Sequence, residues 1–324
     1  CDVVDRTGLI LDIFALHAQS KEANLQVELA MSVYLKPRLA GLGKTLNQQG
    51  GGIGTRGPGE AKLETDSRLI DNRINKLRKE LRKIEKQRVL QASSREKNNT
   101  PLVSIVGYTN AGKSTLLRSL TNSEAYIADE LFATVDSLQR ELPIKNVQEP
   151  LILSDTVGFI QNLPTTLIES FKSTLLVATS ADLLIHVVDA ATAIPQMHIG
   201  TVRNILEQIN VSANEIMVFN KIDRLDRASL NELTERYPQA LFISSLKNTG
   251  IEELVERISS EIYGEVQQDS FLVEPKDLEK VNRFGEILEV TNSSDLLLLE
   301  IRMRSKLIHK LLDLKLMKEF KNVK

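Results

Sequence analysis

Val103-Ser104-Ile105-Val106-Gly107-Tyr108-Thr109-Asn110-Ala111-Gly112-Lys113-Ser114-Thr115 is the stretch that decides the fold. A short buried strand runs straight into G-x-x-x-x-G-K-S, and a helical pattern follows. That strand–turn–helix context is what a phosphate-binding loop requires. Glycines let successive backbone N–H groups turn inward, and the following helix adds the positive end of its dipole. Lys113 supplies charge for the β- and γ-phosphates of a nucleotide, and Ser114 offers a hydroxyl to Mg²⁺. A chance match arises in roughly one chain in a hundred of this length at average residue frequencies, and the strand and helix on either side lower that further.

Working outward, three more segments fall at strand ends. Asp155-Thr156-Val157-Gly158 follows the apolar run Leu151–Leu153. An acidic residue there can hold Mg²⁺ through water, and Gly158 can aim its N–H at the γ-phosphate. Asn220-Lys221-Ile222-Asp223 follows Ile216–Phe219. The Asp223 carboxylate can accept both the ring N–H and the exocyclic amine of guanine, whereas adenine would leave it desolvated and unpaired. Ser244-Ser245-Leu246-Lys247, after Ile243, fits a loop whose backbone reaches the guanine O6; alone it reads equally as a polar turn. Between the phosphate loop and Asp155 lies Phe132-Ala133-Thr134-Val135-Asp136, where Thr134 can complete the Mg²⁺ shell when the γ-phosphate is present. The expected catalytic groups are Lys113, Thr134 and Gly158, and the expected metal ligands are Ser114 and Thr134. Phe159 stands where Ras-like proteins place a water-orienting Gln, and a phenyl ring neither donates nor accepts a hydrogen bond.

The surrounding pattern is consistent with this. Apolar runs at 102–106, 151–154, 183–188, 216–219 and 240–243 alternate with helical stretches, which predicts a doubly wound, mostly parallel α/β sheet. Past residue 264, Leu288–Val290 and Leu296–Ile301 flank Asn292-Ser293-Ser294 as a hairpin, and an amphipathic helix is expected from Ser305 to Phe320. Before residue 101 the pattern differs. Residues 8–16 read as a buried strand or apolar turn. A helix is expected over 17–36, with Ala23, Val27, Ala30 and Tyr34 on one face and Pro37 ending or bending it. The glycine-dense segment 41–59 reads as irregular. A second helix is expected over 65–92, with Ile70, Ile74, Leu77, Leu81 and Ile84 as a coiled-coil seam against the first, in an antiparallel hairpin. Residues 92–100 read as a linker. Three units follow: 1–100, 101–263 and 264–324.

Composition narrows the function. Net charge is −2, so contact with nucleic acid must come from a local patch, and Arg68–Lys97 supplies one with eleven Lys/Arg against four Asp/Glu. A solvated helix face would show the same charges. One cysteine, Cys1, excludes a disulfide framework and implies a reducing compartment. No apolar run reaches the roughly 20 residues of a membrane span. A cytoplasmic location is expected, with membrane proximity only through ribosomes, and the protein is expected to be a monomer. Starting at Cys1 inside structured-looking sequence, the chain is expected to lack an N-terminal piece.

Three stretches resemble the HflX-type ribosome-associated GTPases: Val4-Asp5-Arg6-Thr7-Gly8-Leu9-Ile10-Leu11-Asp12-Ile13-Phe14 with Gln26-Val27-Glu28-Leu29-Ala30; Gly51-Gly52-Ile53-Gly54-Thr55-Arg56-Gly57-Pro58-Gly59-Glu60 with Leu63-Glu64-Thr65-Asp66; and the phosphate-loop, Phe132–Asp136 and Asp155–Phe159 wording itself. Ala61-Lys62, Ser67 and Leu246 depart from the family pattern, and the family's leading α/β subdomain is expected to be missing. The resemblance implies a P-loop GTPase preceded by a helical hairpin with a glycine loop. It implies GTP hydrolysis to GDP with Mg²⁺, and the large (50S) ribosomal subunit and its rRNA as partner, in translation, ribosome rescue, splitting or biogenesis. The bare residues also allow a nucleotide-gated RNA-binding module with negligible turnover, because of Phe159. A membrane or metal-transport GTPase fits less well.

Overall fold

The computed structural model describes residues 4–46, 58–97, 100–121, 138–145, 147–161, 177–293, 295–313 and 315–319. The glycine loop around Arg56 and the segment Phe132–Asp136 with Thr134 lie outside them.

The amino-terminal region is helical throughout: α1 (Arg6–His17), α2 (Lys21–Leu46) and α3 (Pro58–Lys97). The stretch 8–16, expected as a buried strand or apolar turn, is therefore a helix. Asp5 caps it by accepting from the Gly8 N–H at 2.8 Å, and Ile10, Leu11 and Phe14 fall on its buried side. A nine-residue apolar run hides that spacing, because length alone does not separate a short strand from a buried helix turn. Pro37 does not end α2, and Gly41 and Gly43 lie inside it. A proline costs about 3 kcal/mol in a helix interior, and side chains tie the adjoining turn. Arg38 donates to the Tyr34 carbonyl at 2.7 Å, stacks over the Tyr34 ring and pairs with Asp5. Residues 92–97, expected as linker, continue α3.

Helix α2 uses two faces. Leu25, Leu29 and Val33 meet Ile70, Ile74, Leu77 and Leu81 of α3. The stripe expected to meet α3, Ala23, Val27, Ala30 and Tyr34, instead packs on α1. Pairs Glu22–Arg88 at 2.8 Å and Lys36–Asp71 at 2.5 Å, at opposite ends, fix the antiparallel sense.

The central region is a six-stranded sheet in the order β2-β3-β1-β4-β5-β6. Its strands are β1 (Leu102–Gly107), β2 (Gln139–Ile144), β3 (Val147–Asp155), β4 (Leu183–Asp189), β5 (Asn214–Asn220) and β6 (Leu241–Phe242). All expected strands are present and mutually parallel. Strand β2 was not expected: it is an antiparallel edge that buries only Leu142 and Ile144, too few apolar positions to stand out as a run. Helices α4 (Lys113–Thr121), α5 (Pro195–Gln208), α6 (Arg227–Arg236) and α7 (Ile251–Tyr263) cover the sheet. The carboxyl ends of β1, β3, β4 and β5 open onto one edge, where such sheets place their ligands.

The carboxyl-terminal region is an antiparallel sheet, β10-β7-β9-β8, of β7 (Val266–Val273), β8 (Gly285–Ser293), β9 (Leu296–Arg304) and β10 (Lys318–Glu319). It carries helices α8 (Leu278–Asn282) and α9 (Ser305–Asp313). The expected hairpin is β8–β9. Helix α9 stops at Asp313, short of Phe320: Lys315 takes a left-handed φ of 57°, and Lys318 and Glu319 pair with β7 instead.

Candidate nucleotide site

The turn after β1 is built from left-handed steps at Asn110 (φ 60°) and Gly112 (φ 92°), which carry the chain from strand to helix within five residues. A Cβ on Gly112 would stand 2.3 Å from the Asn220 amide nitrogen, so no side chain fits there. Lys113 opens α4 and is buried, its ammonium donating to the Tyr108 carbonyl at 3.1 Å. Burial lowers its pKa to about 8, against the raising pull of the Asp155 carboxylate. The Ser114 hydroxyl donates to Asp155 Oδ2 at 2.7 Å. Gly158 completes the cradle: a Cβ there would sit 3.1 Å from Lys113 Nζ and 2.8 Å from Thr109 Cα. Lys113, Ser114, Asp155 and Gly158, read from separate motifs, thus converge.

A second cluster joins the ends of β5 and β6. Asn220 donates from Nδ2 to the Ala111 carbonyl and accepts at Oδ1 from the Ser245 N–H and hydroxyl, each at 3.0 Å. It locks the phosphate loop to the Ser244–Lys247 loop. Lys221, with φ 66°, reaches back to the Asn110 carbonyl at 2.6 Å. Asp223 is half-buried and accepts from the Ser244 hydroxyl at 2.5 Å, which lowers its pKa and keeps it ionised. Ser244 in turn accepts from the Lys247 N–H at 3.2 Å, while the Leu246 side chain is exposed.

Other side chains from these motifs serve the scaffold. Thr156 is buried and donates to the Ile105 carbonyl at 2.7 Å. Val157 packs among Ile10, Leu11 and Phe14 of α1. Ile222 joins the cluster around Val188 and Phe219. Phe159 is buried with Val106, Leu184, Val202 and Ile205, its ring turned into the core and its backbone paired with Gly107 and Thr109.

Two features escaped the sequence reading. Asp189, at the carboxyl end of β4, holds Lys221 at 2.8 Å and accepts from the Ala191 N–H. Its position just past the run 183–188 was the available signal. The Tyr108 ring stacks on His198 of α5 at 3.9 Å, and nothing local to either residue announces that.

Residues 17–95 match the family described as the GTP-binding GTPase middle region, and residues 102–221 match the one described as 50S ribosome-binding GTPase. The GTPase HflX of Caldanaerobacter subterraneus subsp. tengcongensis is 48% identical over 271 residues, covering 83% of this chain and 62% of its own length. That of Escherichia coli is 44% identical over 292 residues, covering 89% and 68%. Among solved structures, a GTP-binding protein from the hyperthermophilic archaeon Sulfolobus solfataricus, in complex with GDP, has 30% identity and a TM-score of 0.47, over 80% of this chain and 72% of that one. Sheet order, glycine turn and converging motifs define a P-loop GTPase fold. The family is narrower than that: the chain belongs to the HflX GTPases. It spans a little under two thirds of the Caldanaerobacter relative. Among the described residues no helix is long and apolar enough to cross a membrane.

Proposed function

We propose that this chain binds GTP with Mg²⁺, hydrolyses it slowly to GDP and phosphate, and uses the cycle to govern association with the large (50S) ribosomal subunit. The observation that carries the nucleotide reading is the convergence of Lys113, Ser114, Asp155 and Gly158 at the carboxyl edge of a parallel sheet.

The residues fit a magnesium ion. Ser114 and Asp155 bring a hydroxyl and a carboxylate oxygen within 2.7 Å of each other, the hard oxygen donors Mg²⁺ prefers. Ser114 would bind it directly, Asp155 through water, and Thr134 would join when the γ-phosphate is present. When bound, the ion neutralises charge on the β- and γ-phosphate oxygens. Lys113 contributes its ammonium to the same oxygens, and the Gly107–Thr115 backbone wraps them. In this reading the Gly158 N–H meets the γ-phosphate. Asp223, held ionised by Ser244, accepts the two guanine donors. Asn220 sets the spacing between phosphate loop and base loop.

Turnover is the step the site leaves incomplete. Phe159 is in the core, so it cannot orient water. The same observation favours the second reading, a nucleotide-gated binding module with negligible turnover. The ribosomal partner is supported by the matched family's description and by the outward face of α3, where Lys76, Lys79 and Lys83 are exposed. Such a face reads phosphate backbone and shape rather than base sequence. Sedimentation with purified ribosomal subunits, in GDP and in a non-hydrolysable GTP analogue, tests the proposal. Nucleotide-dependent co-sedimentation with the large subunit is expected, and no co-sedimentation in either state refutes it.

A further inference from the structure

The segment Gly158–Gln161 is laced to the phosphate loop by a side chain that needs no role in nucleotide contact. Phe159 is held by two backbone bonds: its N–H donates to the Gly107 carbonyl at 3.1 Å, and its carbonyl accepts from Thr109 at 2.7 Å. Two residues on, the Gln161 N–H donates to the Tyr108 hydroxyl at 3.2 Å. The Tyr108 ring lies flat on His198 of α5, with centroids 3.9 Å apart and planes 7° from parallel. The Tyr108 carbonyl also accepts from Lys113 Nζ. From the other side, Arg6 of α1 donates to the Gln161 carbonyl at 2.6 Å. Most positions in a phosphate loop need only their backbone, yet this one carries a ring half-exposed between a helix and the stretch after Gly158.

We propose that Tyr108, buttressed by His198, is a positioning residue for GTP hydrolysis: its hydroxyl pins Gln161 and so fixes where the Gly158 N–H stands relative to the γ-phosphate. This rests on the hydrolysis reading above. A segment pinned at Phe159 alone could pivot, and Gly158 precedes that pin directly. The hydroxyl adds an anchor on the phosphate-loop side, opposite the one Arg6 supplies from α1, and His198 keeps the ring from swinging away. With Phe159 buried, placement of the backbone is one means of organising the attack, and small misplacements can cost about 10²-fold in rate.

The test is single-turnover and steady-state GTP hydrolysis by the whole chain, with fluorescent GDP affinity measured on the same preparations. Tyr108→Phe removes one oxygen and keeps the stack; it should lower kcat about tenfold and leave KM and GDP affinity within about twofold of the parent. His198→Ala should lower kcat similarly, and His198→Phe, which restores a flat ring, should recover most of it. Parent-like kcat in both Tyr108→Phe and His198→Ala overturns the inference. So does a fall in GDP affinity that matches the fall in kcat, since that marks a merely structural role. A parent protein that hydrolyses no GTP, free or with large subunits, overturns the hydrolysis reading itself and this inference with it.

Discussion

Asp223 is where base choice turns in the proposed site. Its carboxylate is ionised, half-buried and already holding one hydrogen bond from Ser244, and in the proposed site its remaining lone pairs accept the two guanine donors. Asp223→Asn replaces one acceptor by a donor. Guanine affinity should fall by about 1–3 kcal/mol, and xanthine, with an oxygen at C2, should gain relative to it. Competition of the two diphosphates against fluorescent GDP checks this, and an unchanged preference would remove Asp223 from the role. Lys113 yields a pH dependence of definite sign. In the free protein its pKa is lowered to about 8, chiefly by burial. Phosphates favour the charged ammonium, so above pH 8 binding must take up a proton. Affinity for GDP should therefore weaken as pH rises, about tenfold between pH 7 and 9. A flat profile over that range would place Lys113 away from the phosphates. These residues were legible in the sequence because their chemistry is local: a glycine turn, a lysine and a hydroxyl in fixed spacing. Asp189 and His198 were not, because each meets its partner across a strand crossover.

Helix α3 is the element on which the ribosome reading stands. Its inward positions, Ile74 and Leu77, are consumed by α2, and Arg73 and Arg88 pair with Glu28 and Glu22 of the same hairpin. Lys76, Lys79 and Lys83 point elsewhere and are exposed. Replacing these three with Gln should weaken binding to large subunits and flatten the salt dependence by about one unit of slope for each phosphate no longer neutralised. Nucleotide affinity should not change, since α3 packs against α2 and the three lysines are exposed. Equal slopes across a salt series would leave the face as solvated charge. The α3 seam was readable from its four–three spacing alone. The partner of the stripe on α2 was not: periodicity shows that a face is buried, never against what, and α1 took the place assigned to α3.

At the scale of the whole molecule, α1 connects the helical region to the segment after Asp155. Val157 and Ile160 pack with Ile10, Leu11 and Phe14, and Arg6 reaches Gln161. A partner that moves the helices thereby acts on the same backbone that carries Gly158. Turnover by the free protein should be well below the roughly 1–100 per second of kinases, and purified large subunits should raise it by several orders of magnitude. Equal rates with and without subunits, at saturating GTP, would mean that the site is complete without a partner. The sequence by itself determined the strand–turn–helix phosphate loop, the parallel sheet and the order of the motifs, because each is written in contiguous residues whose backbone or side-chain demands are met within a few positions. Tertiary structure decided the rest. It made 8–16 a helix, carried α2 past Pro37, turned Phe159 into the core and Val157 onto α1, and brought Tyr108 against His198. Each of those outcomes depends on which apolar surface or hydrogen-bond partner arrives from a distant part of the chain, and burial energy does not record its partner in local sequence.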